Sequence, residues 1–197
     1  YNIESENENI PYLTELNNYP EIDEIRQKLF RVRESREHPA KDNKILTDWN
    51  ALTVAALAKA GAVFNEDHYL ELARENLSFL TKKMMQGDKV YHSYCEGEYS
   101  KKLYFNDYSY LLWSLIELHQ ASFDSKYLAL AENIAEKMIK YFWDDDKGVF
   151  LLNPAEKSDI PVNQIKGYDG VLPSGNSIAA WNLIKLANLS EKPSYEE

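Results

Sequence analysis

The sequence predicts an all-α fold of stacked helical hairpins: an α/α toroid, with inner helices side by side and outer helices packed behind them. Three observations predict it. A 58-residue offset relates Trp49-Asn50-Ala51-Leu52-Thr53-Val54-Ala55-Ala56-Leu57 to Asp107-Tyr108-Ser109-Tyr110-Leu111-Leu112-Trp113-Ser114-Leu115. The same offset relates His68-Tyr69-Leu70-Glu71-Leu72-Ala73 to Lys126-Tyr127-Leu128-Ala129-Leu130-Ala131. A repeat of this length made of two helices is a hairpin stacked on its neighbours. Second, segments that are apolar all round alternate with segments carrying a single apolar stripe, which is the difference between a buried helix and one covering a core from outside. Third, the links from apolar to striped segments are short, and the links back are long.

Residues 1–20 are polar, rich in Asn, Glu and Pro, and read as an extended lead-in. Residues 21–36 place Ile22, Ile25, Leu29 and Val32 at helical spacing, and His38-Pro39 stops that helix because the residue before proline avoids the α region. An inner helix follows over 47–64, with Thr47 or Asp48 as its cap, then an outer helix over 66–85 striped by Tyr69, Leu70, Ala73, Leu77, Leu80 and Met84. The pattern returns with an inner helix over 107–122 and an outer one over 125–143, striped by Tyr127, Ala131, Ile134, Ala135, Met138 and Phe142. A third inner helix spans 174–189, and 190–197 is a tail. The long links carry strand-like runs at Lys89–Tyr94, Gly148–Leu152 and Pro161–Ile165. Asp144-Asp145-Asp146-Lys147-Gly148 reads as a turn, since it lacks the later glutamate of a calcium loop.

Composition narrows the function. With 22 Lys and Arg against 32 Asp and Glu the net charge is −10, so neither nucleic acid nor an anionic membrane is the expected partner. No apolar run reaches the length of a membrane span, and no signal peptide opens the chain, which reads as cytoplasmic. The chain starts at Tyr1 without Met, the mark of a piece of something longer. The lone Cys95 excludes an internal disulfide. No multi-cysteine set, His-x-x-x-His pair, P-loop or dinucleotide fingerprint is present, so neither metal nor cofactor is expected.

Chemistry concentrates where the inner helices begin. Thr47-Asp48-Trp49-Asn50, Asn106-Asp107-Tyr108 and Pro173-Ser174-Gly175-Asn176-Ser177 open the three inner helices. Parallel inner helices bring these starts to one mouth, and the long loops gather there. Asp, Ser, Thr and Asn are also the preferred helix caps, so each cluster by itself reads first as capping. Trp49, Tyr108 and the tight Pro-Ser-Gly-Asn segment exceed what capping needs. A helix N-terminus favours an anion, so Asp107 is expected to stay ionised and act as base or nucleophile. The loops add His92, Tyr94, Glu96 and Glu98, and Lys166, Tyr168 and Asp169.

Arg33-Glu34-Ser35-Arg36-Glu37-His38-Pro39, Asp42 to Asn50, Asn106-Asp107-Tyr108-Ser109 and Asp169 to Ser177 together resemble the thioredoxin-domain-containing proteins related to spermatogenesis-associated protein 20. The resemblance spans roughly residues 26 to 189. It implies the C-terminal domain of that family, which is similar to six-hairpin glycosidases and to the N-acylglucosamine 2-epimerase group. It also implies an incomplete toroid of about three hairpins, without the family's thioredoxin-like part. A small sugar-like ligand at the mouth is then expected, held by Trp49, Asn50, Tyr108, His92, Ser174 and Asn176. Ser109 departs from the family, where a small apolar residue is usual.

Two chemistries fit. A glycosidase needs two carboxylates flanking the bond, with Asp107 as base and Glu96, Glu98 or Asp169 as acid. An epimerase more naturally uses histidines as acid and base near neutral pH, and having only His92 well placed weakens that version. The alternative is a non-catalytic scaffold that docks the thioredoxin-like domain of the full-length protein. Uncovered inner-helix edges predict self-association in either case.

Overall fold

The computed structural model describes residues 21–100, 102–155 and 162–195. The predicted lead-in lies outside these residues. The chain falls into two compact units, residues 1–42 and 43–197. In the first, helix α1 (Ile22–Glu34) carries Asp23 and Glu24 in its first turn and Arg31 and Arg33 in its last, which complements the helix dipole. It ends ahead of His38-Pro39.

The second unit runs β1 (Ile45–Leu46), α2 (Thr47–Phe64), α3 (Asp67–Phe79), a π turn (Leu80–Met84), β2 (Met85–Gln86), β3 (Lys89–Val90), β4 (Ser93–Cys95) and β5 (Glu98–Tyr99). It continues with α4 (Phe105–Ser122), α5 (Ser125–Phe142), β6 (Trp143–Asp144), β7 (Val149–Phe150), α6 (Gly175–Ser190) and a 3₁₀ turn (Pro193–Tyr195). Helices α2, α4 and α6 are the inner set, and α3 and α5 the outer one. The strands are short antiparallel ribbons in the long links. β1 joins β4 and β5, with Ile45 opposite Tyr94 and Tyr94 opposite Tyr99. β2 pairs with β3, and β6 with β7.

Sequence explains the turns. Asn65 ends α2 in the left-handed region at φ 55°, as asparagine often does, and Phe123 ends α4 there at φ 56° without that excuse. Asp124 then caps α5 by accepting from the Lys126 N–H at 3.1 Å. Gly61 is required where α2 meets α3: a Cβ there would stand 2.6 Å from Leu70 Cγ. The predicted turn after Asp144 is a hairpin, with Asp144 accepting from the Lys147 N–H and Gly148 at φ 62°.

The core is built around α4. Tyr108, Tyr110, Leu111, Leu112, Leu115, Ile116 and Leu118 are all fully buried, as are Leu80 and Met84 from the π turn after α3 and Ile134, Met138 and Phe142 from α5. Complete burial of one such aliphatic side chain stabilises by about 1.5–3 kcal/mol.

Three expectations change. Only α4 is buried nearly all round; on α2 the side chain of Trp49, and on α6 those of Trp181 and Ile184, stay exposed. The physical reason is position: α2 and α6 flank α4 and lack an inner neighbour on their far sides within this unit. The outer helix over 66–85 stops being α-helical at Phe79, where the π turn takes over and keeps both Leu80 and Met84 in the core. The run at 161–165 forms no strand over its described part; instead Leu152 N–H donates to Gln164 O at 2.9 Å, and Asn163 brackets Asn153. Pro161 lies outside the described residues.

Candidate functional site at the inner-helix mouth

The first turns of α2, α4 and α6 are level. Ser109 Oγ on α4 donates to Gly175 O at 2.8 Å, and a Cβ on Gly175 would stand 2.9 Å from the Phe105 ring. Across the other side, Asp107 of α4 and Asp48 of α2 share one cluster with His92 from the link between β3 and β4. Their ligating atoms all lie within 4.8 Å of one another. This is the level mouth that the sequence predicts.

His92 is fixed by its neighbours. The Thr47 N–H donates to His92 O at 2.8 Å, and Thr47 Oγ1 donates to Tyr91 O. Thr47 thus ties the β3–β4 link to the start of α2 and does not cap it. The His92 ring meets Tyr104 edge-on, with centroids 4.9 Å apart. Nδ1 stands 3.0 and 3.1 Å from the two carboxylate oxygens of Asp107. Asp107 is fully buried, whereas 28% of the His92 side chain is exposed. The opposite ring nitrogen, Nε2, is the one directed away from Asp107.

Burial dominates the electrostatics. It pushes the Asp107 carboxyl up to about 6, although its hydrogen bond to His92 pulls the other way. Loss of water outweighs the helix N-terminus here, yet a carboxyl near 6 is still mostly ionised at neutral pH. The hydrogen bond to Asp107 raises His92 above its ordinary value, against the effect of burial. Burial also raises Asp48, while the Trp49 N–H at 2.8 Å lowers it. Both groups move upward, with His92 the higher of the two, so the proton of the pair sits on His92.

The other predicted residues divide. Trp49 is exposed at the start of α2, beside Asp48. Tyr108 is not at a surface: it is fully buried, accepts from the Val90 N–H at 2.9 Å and packs against Phe142, so no ligand touches it. Asn50 donates to Leu46 O and accepts from Asn76. Asn176 accepts from Phe150 N–H and donates to Phe150 O, clamping β7 to α6. Ser174 caps α6 by accepting from the Ser177 N–H, and its hydroxyl donates to Lys166 O. Asp169 accepts from Ser174 N–H at 2.7 Å and Ser177 Oγ at 3.1 Å, so it shapes the loop leading into α6. These side chains are committed to the scaffold because the mouth is made of helix starts, whose free N–H groups demand acceptors.

Tyr110 marks how close the acids lie. Its hydroxyl donates to Pro173 O, burial pushes it up to about 12, and Asp48, Asp169 and Asp107 all add to the rise. Glu96 and Glu98 stand apart on the β4–β5 hairpin, where they line a cavity of about 480 Å³ with Lys44, Cys95 and Tyr99. The carboxylate that joins Asp107 is Asp48, which the sequence places in the cluster opening α2 but does not single out as a site residue. Its signal was its place in the first turn of an inner helix, one residue before the repeat partner of Asp107.

Comparison with known proteins agrees with this fold. Human spermatogenesis-associated protein 20 is 31% identical over 177 residues, covering 81% of this chain. The chain is homologous to spermatogenesis-associated protein 20. It spans only 22% of that human protein, about a fifth of its length. No protein-family model matches. Cellobiose 2-epimerase from Bacillus thermoamylovorans superposes with a TM-score of 0.65 at 15% identity, covering 80% of this chain and 43% of the enzyme. A family 76 glycoside hydrolase (mannosidase) from Bacteroides thetaiotaomicron gives 0.64 at 16% identity, again covering 80% and 43%. At such identities the likeness shows the α/α toroid fold. Among the described residues no helix is long and apolar enough to cross a membrane.

Proposed function

We propose that this chain supplies the reactive half of a carbohydrate-active α/α toroid, in which a sugar at the inner-helix mouth exchanges a proton with His92. The observation that carries the reading is the contact of His92 Nδ1 with both oxygens of the buried Asp107. A buried carboxylate on one ring nitrogen fixes the tautomer and orientation of the imidazole and leaves the other nitrogen to face substrate. Asp107 is then a positioning residue.

The same geometry disfavours a pair of carboxylates flanking a glycosidic bond, because Asp107 has no exposed surface. It suits removal of the proton beside the carbonyl of a ring-opened aldose. His92 takes the proton from C2, the C–H electron pair forms the C1–C2 double bond of an enediolate as the carbonyl pair moves onto O1, and His92 returns the proton to carbon; when C1 receives it, the O2 proton passes to O1 as C2 becomes the carbonyl. A single histidine works on one face of the enediolate, so delivery to C1, giving the ketose, is favoured over inversion at C2. Trp49 offers the exposed aromatic face against which a sugar stacks.

The test is isotopic. The protein is incubated with neutral aldoses in D₂O, and carbon-bound deuterium and ketose are followed by NMR and mass spectrometry. Exchange or ketose formation that disappears in His92→Gln, with helical content retained, supports the reading. The scaffold alternative draws on the internal use of Asn50, Ser174 and Asn176. Absence of both exchange and sugar binding across the panel would favour it.

A further inference from the structure

We propose that Asp48, His92 and Asp107 also form a binding site for one divalent cation of the zinc or manganese class. The three residues come from α2, the β3–β4 link and α4, and their ligating atoms lie within 4.8 Å of one another. Neighbouring ligands on an ion at about 2.1 Å stand about 3.0 Å apart when they subtend a right angle. The His92–Asp107 separations of 3.0 and 3.1 Å already have that value, and the Asp48 carboxylate lies within 4.8 Å of both, so side-chain rotation alone brings the three donors onto one ion.

The donor set selects the metal. One imidazole with two carboxylates suits zinc or manganese, whereas calcium and magnesium prefer oxygen alone. Three protein ligands leave a coordination position open, and the partly exposed His92 marks the side from which solvent reaches it. The support around the ligands is already in place. The Trp49 N–H holds one oxygen of Asp48, and Thr47 holds the backbone of His92. Such outer contacts orient ligands and raise affinity. The starts of α2 and α4 oppose a cation by about half a charge each, which two full carboxylates outweigh.

A cation here replaces the proton between His92 and Asp107. Metal and proton transfer are therefore mutually exclusive uses of one cluster, and the metal-loaded chain loses the exchange reaction proposed above. Metal uptake itself does not depend on any sugar.

The chain is dialysed against Zn²⁺ and, as a spectroscopic probe, Co²⁺. The expected result is one equivalent of metal per chain and a visible Co²⁺ band from mixed nitrogen and oxygen ligands. His92→Gln should remove the band and weaken binding at least tenfold, and Asp48→Asn should weaken it with the helical spectrum intact. No stoichiometric uptake, or equal uptake by wild type and both variants, overturns the proposal. Deuterium exchange by the metal-free chain is read separately, so failure of the metal site leaves the sugar reading standing, and failure of the sugar reading leaves the metal site standing.

Discussion

At the scale of single residues, the mouth rests on a conflict between burial and charge. Asp107 was legible as an important position, because it opens an apolar helix in register with Trp49. Its partner was legible only in part: His92 was named, but nothing in the spacing says that residues fifteen apart will bond. Tyr108 was misread because the helix phase that turns it into the core depends on a neighbouring helix. The linkage gives a first prediction. The raised pKa of His92 means its protonated form is favoured in the fold. That stabilisation is full below about 6.5 and is lost as pH rises through the raised value. The melting-temperature advantage of wild type over His92→Gln should thus shrink from pH 6.5 to pH 9; a constant or growing difference would refute the pairing. A second concerns Gly175. A methyl group there meets the Phe105 ring at 2.9 Å and also the Asn106 side chain, so Gly175→Ala should cost about 1–3 kcal/mol in denaturant unfolding. An unchanged midpoint would mean that α4 and α6 are not held so closely.

At the scale of elements, the inner and outer helices were readable because hydrophobic periodicity reports burial directly. The 47–64 inner helix has the boundaries of α2, and the repeat carried that reading to α4. The links were less readable. Short ribbons such as β2–β3 and β6–β7 gain little from their own sequence and depend on what packs beneath them. The run at 162–165 meets the 152–153 segment through one backbone bond to Gln164 O and the Asn163 side chain, which takes both backbone groups of Asn153 in place of a strand ladder. Between α4 and α6 one feature runs against packing rules. Asn182 is fully buried, and neither polar atom of its side chain has a partner. An unsatisfied buried amide costs about 1–3 kcal/mol, so Asn182→Leu, close in volume, should raise stability by a similar amount. Lower stability in the variant would show that buried water satisfies the amide.

At the scale of the whole molecule, the toroid is visible in three inner and two outer helices, and sequence reading reached it through the repeat. What sequence could not weigh was how each end of the inner row is covered. Trp181 and Ile184 on α6 are 59% and 50% exposed. Apolar surface of this kind seeks a partner. Sedimentation of the 197-residue chain should show association that grows with concentration and weakens in Trp181→Glu. A monomer at every concentration would contradict this. The central claim is that level inner-helix starts create a His92–Asp107 pair ready to move a proton. It is tested most directly by NMR titration of the His92 imidazole in isotopically labelled protein. The account requires a proton on Nδ1, a midpoint above 6.5, and a second inflection from Asp107 near 6. A His92 that titrates at or below 6.5 with Nδ1 unprotonated would contradict it.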